Sequence, residues 1–300
     1  MNDLIIAGSG PAGLSAAVYA SNAMLDFVVI EKFPMSGGQI LNTYDINNYP
    51  GFEQIDGFSL GQNFRKHAEK AGARFVNDEI KSIERTNGGY SVICGKNRYE
   101  TKTIIYALGA APRKLGVKGE AELSGRGVSY LATCDGNFFR GRPVAIIGGG
   151  DVALEDALYL ANICSEVYLI HRRNEFRGAK YLQEKVIKNE RIRILYNTQV
   201  EEILGENKVE SVRLNNGQTL YVDGVFIAVG SQANSSLVEE FCELDRGFIK
   251  ADESCVTSAD GIFAAGDVRT KRLRHICTAV ADGANAVYSV EEYLKKINTQ

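Results

Sequence analysis

The sequence predicts an α/β fold of two Rossmann-like domains, the second inserted in the first. Three observations predict it. A strand, glycine turn, helix and second strand run from Leu4 to Glu31, and the same pattern recurs from Val144 to Ile170. Each copy is followed by strand-like alternation and a buried strand ending in glycine, at Gly109 and Gly230. A last strand and helix, from Gly261 to about Lys296, then close the chain. On this reading residues 1–112 and 246–300 form a discontinuous first domain, and 113–245 form the insert.

The first copy opens with Leu4-Ile5-Ile6-Ala7, a short buried strand. Gly8-Ser9-Gly10-Pro11-Ala12-Gly13 follows, then a helix from Leu14 to about Asn22. Gly8 permits the tight turn, Gly10 lets the backbone approach a pyrophosphate, and Gly13 lets helix and strand pack closely. The helix start offers N–H groups and a positive dipole end to phosphates. The second strand, Phe27 to Ile30, ends in Glu31, placed to accept hydrogen bonds from ribose hydroxyls. An acid there suits the adenosine of FAD.

Residues 36–52 read as a glycine- and asparagine-rich loop, long enough to be functional. A helix is expected from Leu60 to Ala71, strand alternation over 74–106, and a domain crossing at Ala110–Arg113. The second copy starts at Val144-Ala145-Ile146-Ile147 and turns at Gly148-Gly149-Gly150-Asp151-Val152-Ala153. Its second strand ends in His171-Arg172-Arg173-Asn174-Glu175-Phe176-Arg177 instead of an acid. Arginine forks match phosphate oxygens and stay charged, so this end suits the 2′-phosphate of NADPH. Two such sites in one chain imply electron traffic between two nucleotide cofactors.

Composition sets the outer limits. The chain has 300 residues, 45% hydrophobic and 24% charged, with a formal net charge of −3, which is ordinary for a globular protein and leaves no basic footprint for nucleic acid. No apolar run approaches the roughly 20 residues that a membrane helix needs. The N-terminus opens directly into a strand, so a cytoplasmic protein is expected. The six cysteines are scattered with no C-x-x-C pair, and neither a disulfide framework nor a metal site is expected.

Taken as a set, several stretches resemble the low-molecular-weight thioredoxin reductases over essentially the full chain. They are Gly8–Gly13, Gly37-Gly38-Gln39, Asn48-Tyr49-Pro50-Gly51, Ala132–Gly136, Gly148–Ala153, His171–Arg177, Gly261–Val268 and Arg274. The resemblance implies roles. Gly8, Gly10, Pro11, Ala12, Gly13, Glu31 and Lys32 would hold the pyrophosphate and adenosine of FAD, and Gly38, Gln39 and Asn48 would line the flavin and its ribityl chain. Gly109 and Gly266 join that site, Asp267 would bond a ribityl hydroxyl, and Arg274, His275 and Ile276 would meet the flavin edge. NADPH would fall to Gly148, Gly150, Asp151, Val152, His171, Arg172, Arg173 and Arg177. The family also implies a homodimer, rotation between the domains, and a thioredoxin-like protein as electron acceptor.

One position departs from the family. Its redox centre is Cys-Ala-Thr-Cys-Asp, whereas this chain reads Leu131-Ala132-Thr133-Cys134-Asp135. Cys134 and Asp135 remain the candidate catalytic pair, yet a single cysteine cannot store two electrons as an internal disulfide. Three readings stay open. Cys277 substitutes for the missing thiol; or Cys134 works alone, through a mixed disulfide or a sulfenic acid; or the flavin delivers electrons directly to a ferredoxin-like or flavin protein, a quinone or oxygen. A non-enzymatic redox-sensing flavoprotein is the remaining alternative. The basic run Arg269–Arg274 reads as a solvated loop, or as a docking patch for an acidic electron carrier or an anionic substrate.

Overall fold

The structure, a computed structural model, describes residues 1–43 and 46–299. The chain forms two compact units: Met1–Ala111 with Gln232–Gln300, and Pro112–Ser231.

In the first unit, strand β1 (Asn2–Ala7) is followed by helix α1 (Pro11–Asn22) and strand β2 (Phe27–Glu31). Helix α2 (Gly57–Lys70) begins three residues earlier than the apolar spacing suggests, because Asp56 caps it: its Oδ1 accepts the Ser59 N–H at 2.8 Å. Strands β3 (Phe75–Asn77), β4 (Ile80–Thr86), β5 (Gly89–Cys94) and β6 (Arg98–Tyr106) follow, then β7 (Ala110–Pro112), which carries the chain into the second unit. The sheet runs β3-β2-β1-β6-β5-β4. Its β3-β2-β1-β6 portion is parallel and β4-β5-β6 is an antiparallel meander. Leu4 to Ala7 are fully buried, which explains why β1 is apolar without alternation: both faces of this sheet are covered.

The second unit repeats the plan. After β8 (Val128–Ser129) and a short helix, α3 (Ala132–Asp135), come β9 (Pro143–Gly148), α4 (Asp151–Ile163) and β10 (Glu166–Ile170). Then come α5 (Lys180–Ile187), β11 (Ile192–Leu195), β12 (Val200–Leu204), β13 (Ser211–Leu214), β14 (Thr219–Tyr221) and β15 (Gly224–Ala228). Strands β11-β10-β9-β15-β8 form one parallel sheet, and β12-β13-β14 form a separate antiparallel meander. Leu154, Ala157, Leu160 and Ala161 of α4 pack against Val144 and Ile146 on one face of the parallel sheet. Ala145, Ile147 and Val225 face the meander residues Ile203, Val212 and Leu214 on the other.

The chain returns through β16 (Ser231–Ala233), β17 (Leu244–Asp245), β18 (Phe248–Ile249) and β19 (Ile262–Ala264), and ends in α6 (Ile276–Asn298). The return crossing differs from the sequence expectation. It falls at 231/232, not at 245/246, so residues 232–245 belong to the first unit. Their polar look conceals three anchors: Ala233, Val238 and Cys242 are buried in one cluster with Ile83, Tyr90, Tyr106 and Ile249. Tyr106 also donates its hydroxyl to the Asn234 carbonyl at 2.6 Å. The strand expected over Gly261–Val268 is shorter as well. β19 stops at Ala264, because Gly266 takes φ +80 and Gly266–Val268 coil into a 3₁₀ turn.

Candidate functional site

The first candidate site is built on the turn between β1 and α1. Gly8 has φ +99, and a Cβ there would stand 2.7 Å from the Ala107 carbonyl oxygen, so only glycine fits. A Cβ on Gly13 would overlap the Gly8 carbonyl, which is the close helix–strand packing expected of the third glycine. Gly10 caps α1 and Pro11 takes its first turn, leaving the backbone N–H groups of the helix start turned outward. Gly38, from the 36–52 loop, comes in opposite. A Cβ on it would lie 3.2 Å from the Gly10 Cα, and the Gly37 N–H reaches the Ser9 carbonyl at 2.8 Å. Two backbones without side chains thus line a slot at the positive end of a helix.

Glu31 closes one side of this turn. Its Oε2 accepts both the Ser9 N–H and the Ser9 hydroxyl at 2.9 Å, and its Oε1 accepts the Phe33 N–H at 3.1 Å. The carboxylate therefore holds the glycine turn in shape and still has lone pairs to offer a ribose. Ser9 is a partner that the motif did not single out, since the glycine pattern ignores the residue between. Lys32 is exposed, its ammonium 4.8 Å from the Phe33 ring centroid. Gln39 donates to the Ala110 carbonyl beside Gly109, which takes φ +65. Asn48 is exposed on the same loop; Tyr44 and Asp45 of that loop lie outside the described residues.

The C-terminal segment completes the site. Among the described residues the Asp267 Oδ1 is a buried oxygen with no hydrogen-bond partner. Burial pushes this carboxyl's pKa up, and Lys271 and Arg274 nearby offset part of the rise. An acceptor left open on a turn that packs against Ala12 of α1 fits a hydroxyl-bearing chain such as the ribityl of FAD. Arg274 lies 4.1 Å over the Phe248 ring and reaches the Asp267 and Arg269 carbonyls, both at 3.4 Å. His275 caps α6, and Ile276 is its first residue. The basic run 269–274 is only in part the solvated loop the sequence suggests: Arg272 is exposed, but two of its cations are not. Arg269 and Lys271 turn inward onto Asp282, at 2.6 and 2.8 Å, with side chains only 5–6% exposed. Sequence reading missed Asp282 because a lone acid inside a helix carries no motif.

The second candidate site lies at the start of α4. Gly150 caps the helix in extended backbone, and a Cβ on it would meet nothing within 4 Å, so the turn is open to a ligand. The strand-end loop is stitched to this turn. Arg177 N–H and Gly178 N–H both donate to the Gly149 carbonyl, at 2.7 and 3.2 Å, and the Asp151 Oδ1 accepts the Ala179 N–H at 2.7 Å. This stitching sets Arg177 beside the helix start, and Arg172 and Arg173 are exposed on the same loop. Val152 is 61% exposed in the first turn. His171 is buried instead, packed under Gly149, with its Nε2 donating to the Glu175 carbonyl at 2.9 Å. An open glycine turn stitched to a loop that carries three arginine forks fits a phosphorylated dinucleotide.

Cys134 and Asp135 sit in the four-residue helix α3. Cys134 is half-buried, and Leu131, in the N-cap position, is 50% exposed. Ser129 organises this turn: its hydroxyl donates to the Asp135 Oδ2 at 2.6 Å and accepts the Leu131 N–H at 3.0 Å. Cys277 is half-buried in the first turn of α6. Cys94, Cys164, Cys242 and Cys255 are buried and their thiols are pushed up by desolvation, Cys255 to about 12. These four are poor nucleophiles. No helix of the described residues is long and apolar enough to cross a membrane, and the described residues hold no metal-binding cluster.

The fold and its two glycine turns define an oxidoreductase of two dinucleotides. Residues 2–283 match the pyridine nucleotide-disulphide oxidoreductase family, and the chain belongs to it. Within that family it is of the thioredoxin-reductase class. It is 41% identical to the thioredoxin reductase of Peptoclostridium litorale over 98% of both chains. It is 42% identical to that of Bacillus subtilis, covering 98% of this chain and 95% of the relative. The thioredoxin reductase of Streptococcus pyogenes superposes with a TM-score of 0.90 at 40% identity, over 99% of each chain. The protein is an NADPH-dependent oxidoreductase, and its cofactors are FAD and NADPH.

Proposed function

We propose that the protein carries electrons from NADPH through FAD to a disulfide or thiol-linked acceptor, a thioredoxin-like protein first among them, and that Cys134 is the thiol that meets it. The observation that carries this reading is the α3 turn, where a half-buried thiol is followed directly by an acid held in place by Ser129. Likeness to thioredoxin reductases supports the choice of acceptor.

The bound cofactors supply hydride transfer and electron storage; the chain supplies position. Gly8–Gly13 and the α1 dipole receive the FAD diphosphate, Glu31 the ribose, and Asp267 a ribityl hydroxyl. Gly148–Val152 and the three arginines receive NADPH. Cys134, as thiolate, attacks the acceptor's disulfide, forming a mixed disulfide and releasing one acceptor thiolate. Two electrons and a proton then break that bond, freeing the second acceptor thiol and restoring the Cys134 thiolate. Asp135 stands next to Cys134 to give the proton. Leu131 offers only carbon, so resolution cannot pass through an internal 131–134 disulfide. The reading extends to a cytoplasmic homodimer.

The test is anaerobic. NADPH is expected to bleach the flavin, and oxidised thioredoxin to restore it in the wild type but not in Cys134→Ser. If Cys134→Ser turns over as well as the wild type, electrons leave the flavin without this thiol. If only Cys277→Ser stops turnover, Cys277 is the working thiol.

A further inference from the structure

The carboxylate of Asp282 is 3% exposed in the middle of α6, yet it takes no part in the proposed chemistry. Its side-chain hydrogen bonds all run to the segment that carries Asp267. Its Oδ2 accepts the Gly266 N–H at 2.8 Å, Arg269 Nε at 2.9 Å and Lys271 Nζ at 2.8 Å; its Oδ1 accepts Arg269 Nη2 at 2.6 Å. Arg269 Nη1 donates to the Ala251 and Thr270 carbonyls, at 3.2 and 2.9 Å. The 3₁₀ turn Gly266–Val268 is thereby gripped from both ends, before Asp267 and after it. It is also wedged, since a Cβ on Gly266 would stand 2.9 Å from the Ala12 Cβ of α1.

A buried carboxylate carrying two cations is costly to desolvate, and well-packed apolar residues of similar size are often at least as stabilising. Stability alone is therefore a poor account of it. Its geometry serves one result: the backbone of Asp267 is fixed, so that the Oδ1 left without a protein partner is aimed at one point.

We propose that Asp282 is a positioning residue for the flavin site: through Gly266, Arg269 and Lys271 it sets the orientation of Asp267, and so governs grip on the ribityl portion of FAD but not on the adenosine diphosphate portion. The inference rests on the flavin reading above. The ADP portion belongs to the Gly8–Gly13 turn and Glu31, none of which touches Asp282 by hydrogen bond.

The experiment compares FAD and ADP binding to apoprotein by calorimetry, for the wild type, Asp282→Asn and Lys271→Gln. Asp282→Asn is expected to lose at least tenfold in FAD affinity while ADP stays within twofold. Lys271→Gln, which leaves the Arg269–Asp282 pair standing, is expected to show the same split to a smaller degree, and serves if Asp282→Asn does not fold. Equal losses for both ligands would reduce Asp282 to a structural residue and overturn the proposal, as would FAD affinity unchanged within twofold. Wild-type apoprotein that takes up ADP but no FAD would sink the flavin reading itself, and the inference with it.

Discussion

Leu131 is the residue on which the chemistry turns. It caps α3 at φ −136 and ψ 86, a conformation that needs no glycine, and Cys134 N–H donates to its carbonyl at 3.2 Å. Residues three apart on a helical turn have Cβ atoms about 5–6 Å apart, somewhat wider than the roughly 3.5–4.5 Å of a disulfide. Leu131→Cys is therefore expected to close a 131–134 disulfide with a small local tightening of the turn. Anaerobic titration should then take up two further electrons per chain, and thioredoxin turnover should rise at least tenfold. An unchanged electron count would show that the turn cannot close. At this scale the sequence was most legible where backbone geometry leaves no choice, as at Gly8 and Gly13. It was least legible where a side chain is chosen by its surroundings: Ser9 on Glu31, Ser129 on Asp135 and Asp282 on Arg269 all answer to partners far along the chain or hidden between motif positions.

Helix α4 carries a perturbed carboxyl. Asp156 is half-buried, and desolvation, with a smaller contribution from the charge of Glu155, raises its carboxyl to about 7. A carboxyl raised in the folded state binds its proton more tightly there than in the unfolded chain. This group's contribution to folded stability is thus fullest below the ordinary carboxylate range and falls as the pH climbs from about 4 to about 7. Asp156→Asn is expected to raise stability at pH 8 by on the order of 1–3 kcal/mol and to leave it nearly unchanged at pH 4. Urea melts at the two values check this, and an equal effect at both would refute it. Helices were easy to find by their apolar spacing, but their starts were not. α2 begins at a capping aspartate and β19 ends at a left-handed glycine, both local devices that hydrophobic periodicity does not register.

The whole molecule is two units with separate cores, each ordering its parallel strands in the same way about a glycine turn. Because each turn rests on its own core, damage to one nucleotide site is expected to spare the other. Arg172→Ala with Arg173→Ala should raise the KM for NADPH by roughly 10- to 100-fold, the range of one or two lost charge-assisted contacts. It should narrow the preference over NADH and leave FAD content at one per chain. Loss of FAD from this variant would contradict the separation. The repeated plan was legible because both copies keep the full strand, turn, helix and strand. The return crossing is not legible at 231/232 because residues 232–245 bury only scattered anchors in a polar stretch. The Arg269–Lys271–Asp282 cluster has a consequence for descent. Losing Asp282 leaves two buried cations without a counter-charge, so its substitution alone passes through a disfavoured ancestor. Lineages should therefore keep the three together or exchange them together for neutral residues, and an alignment of relatives should show these positions changing as a set.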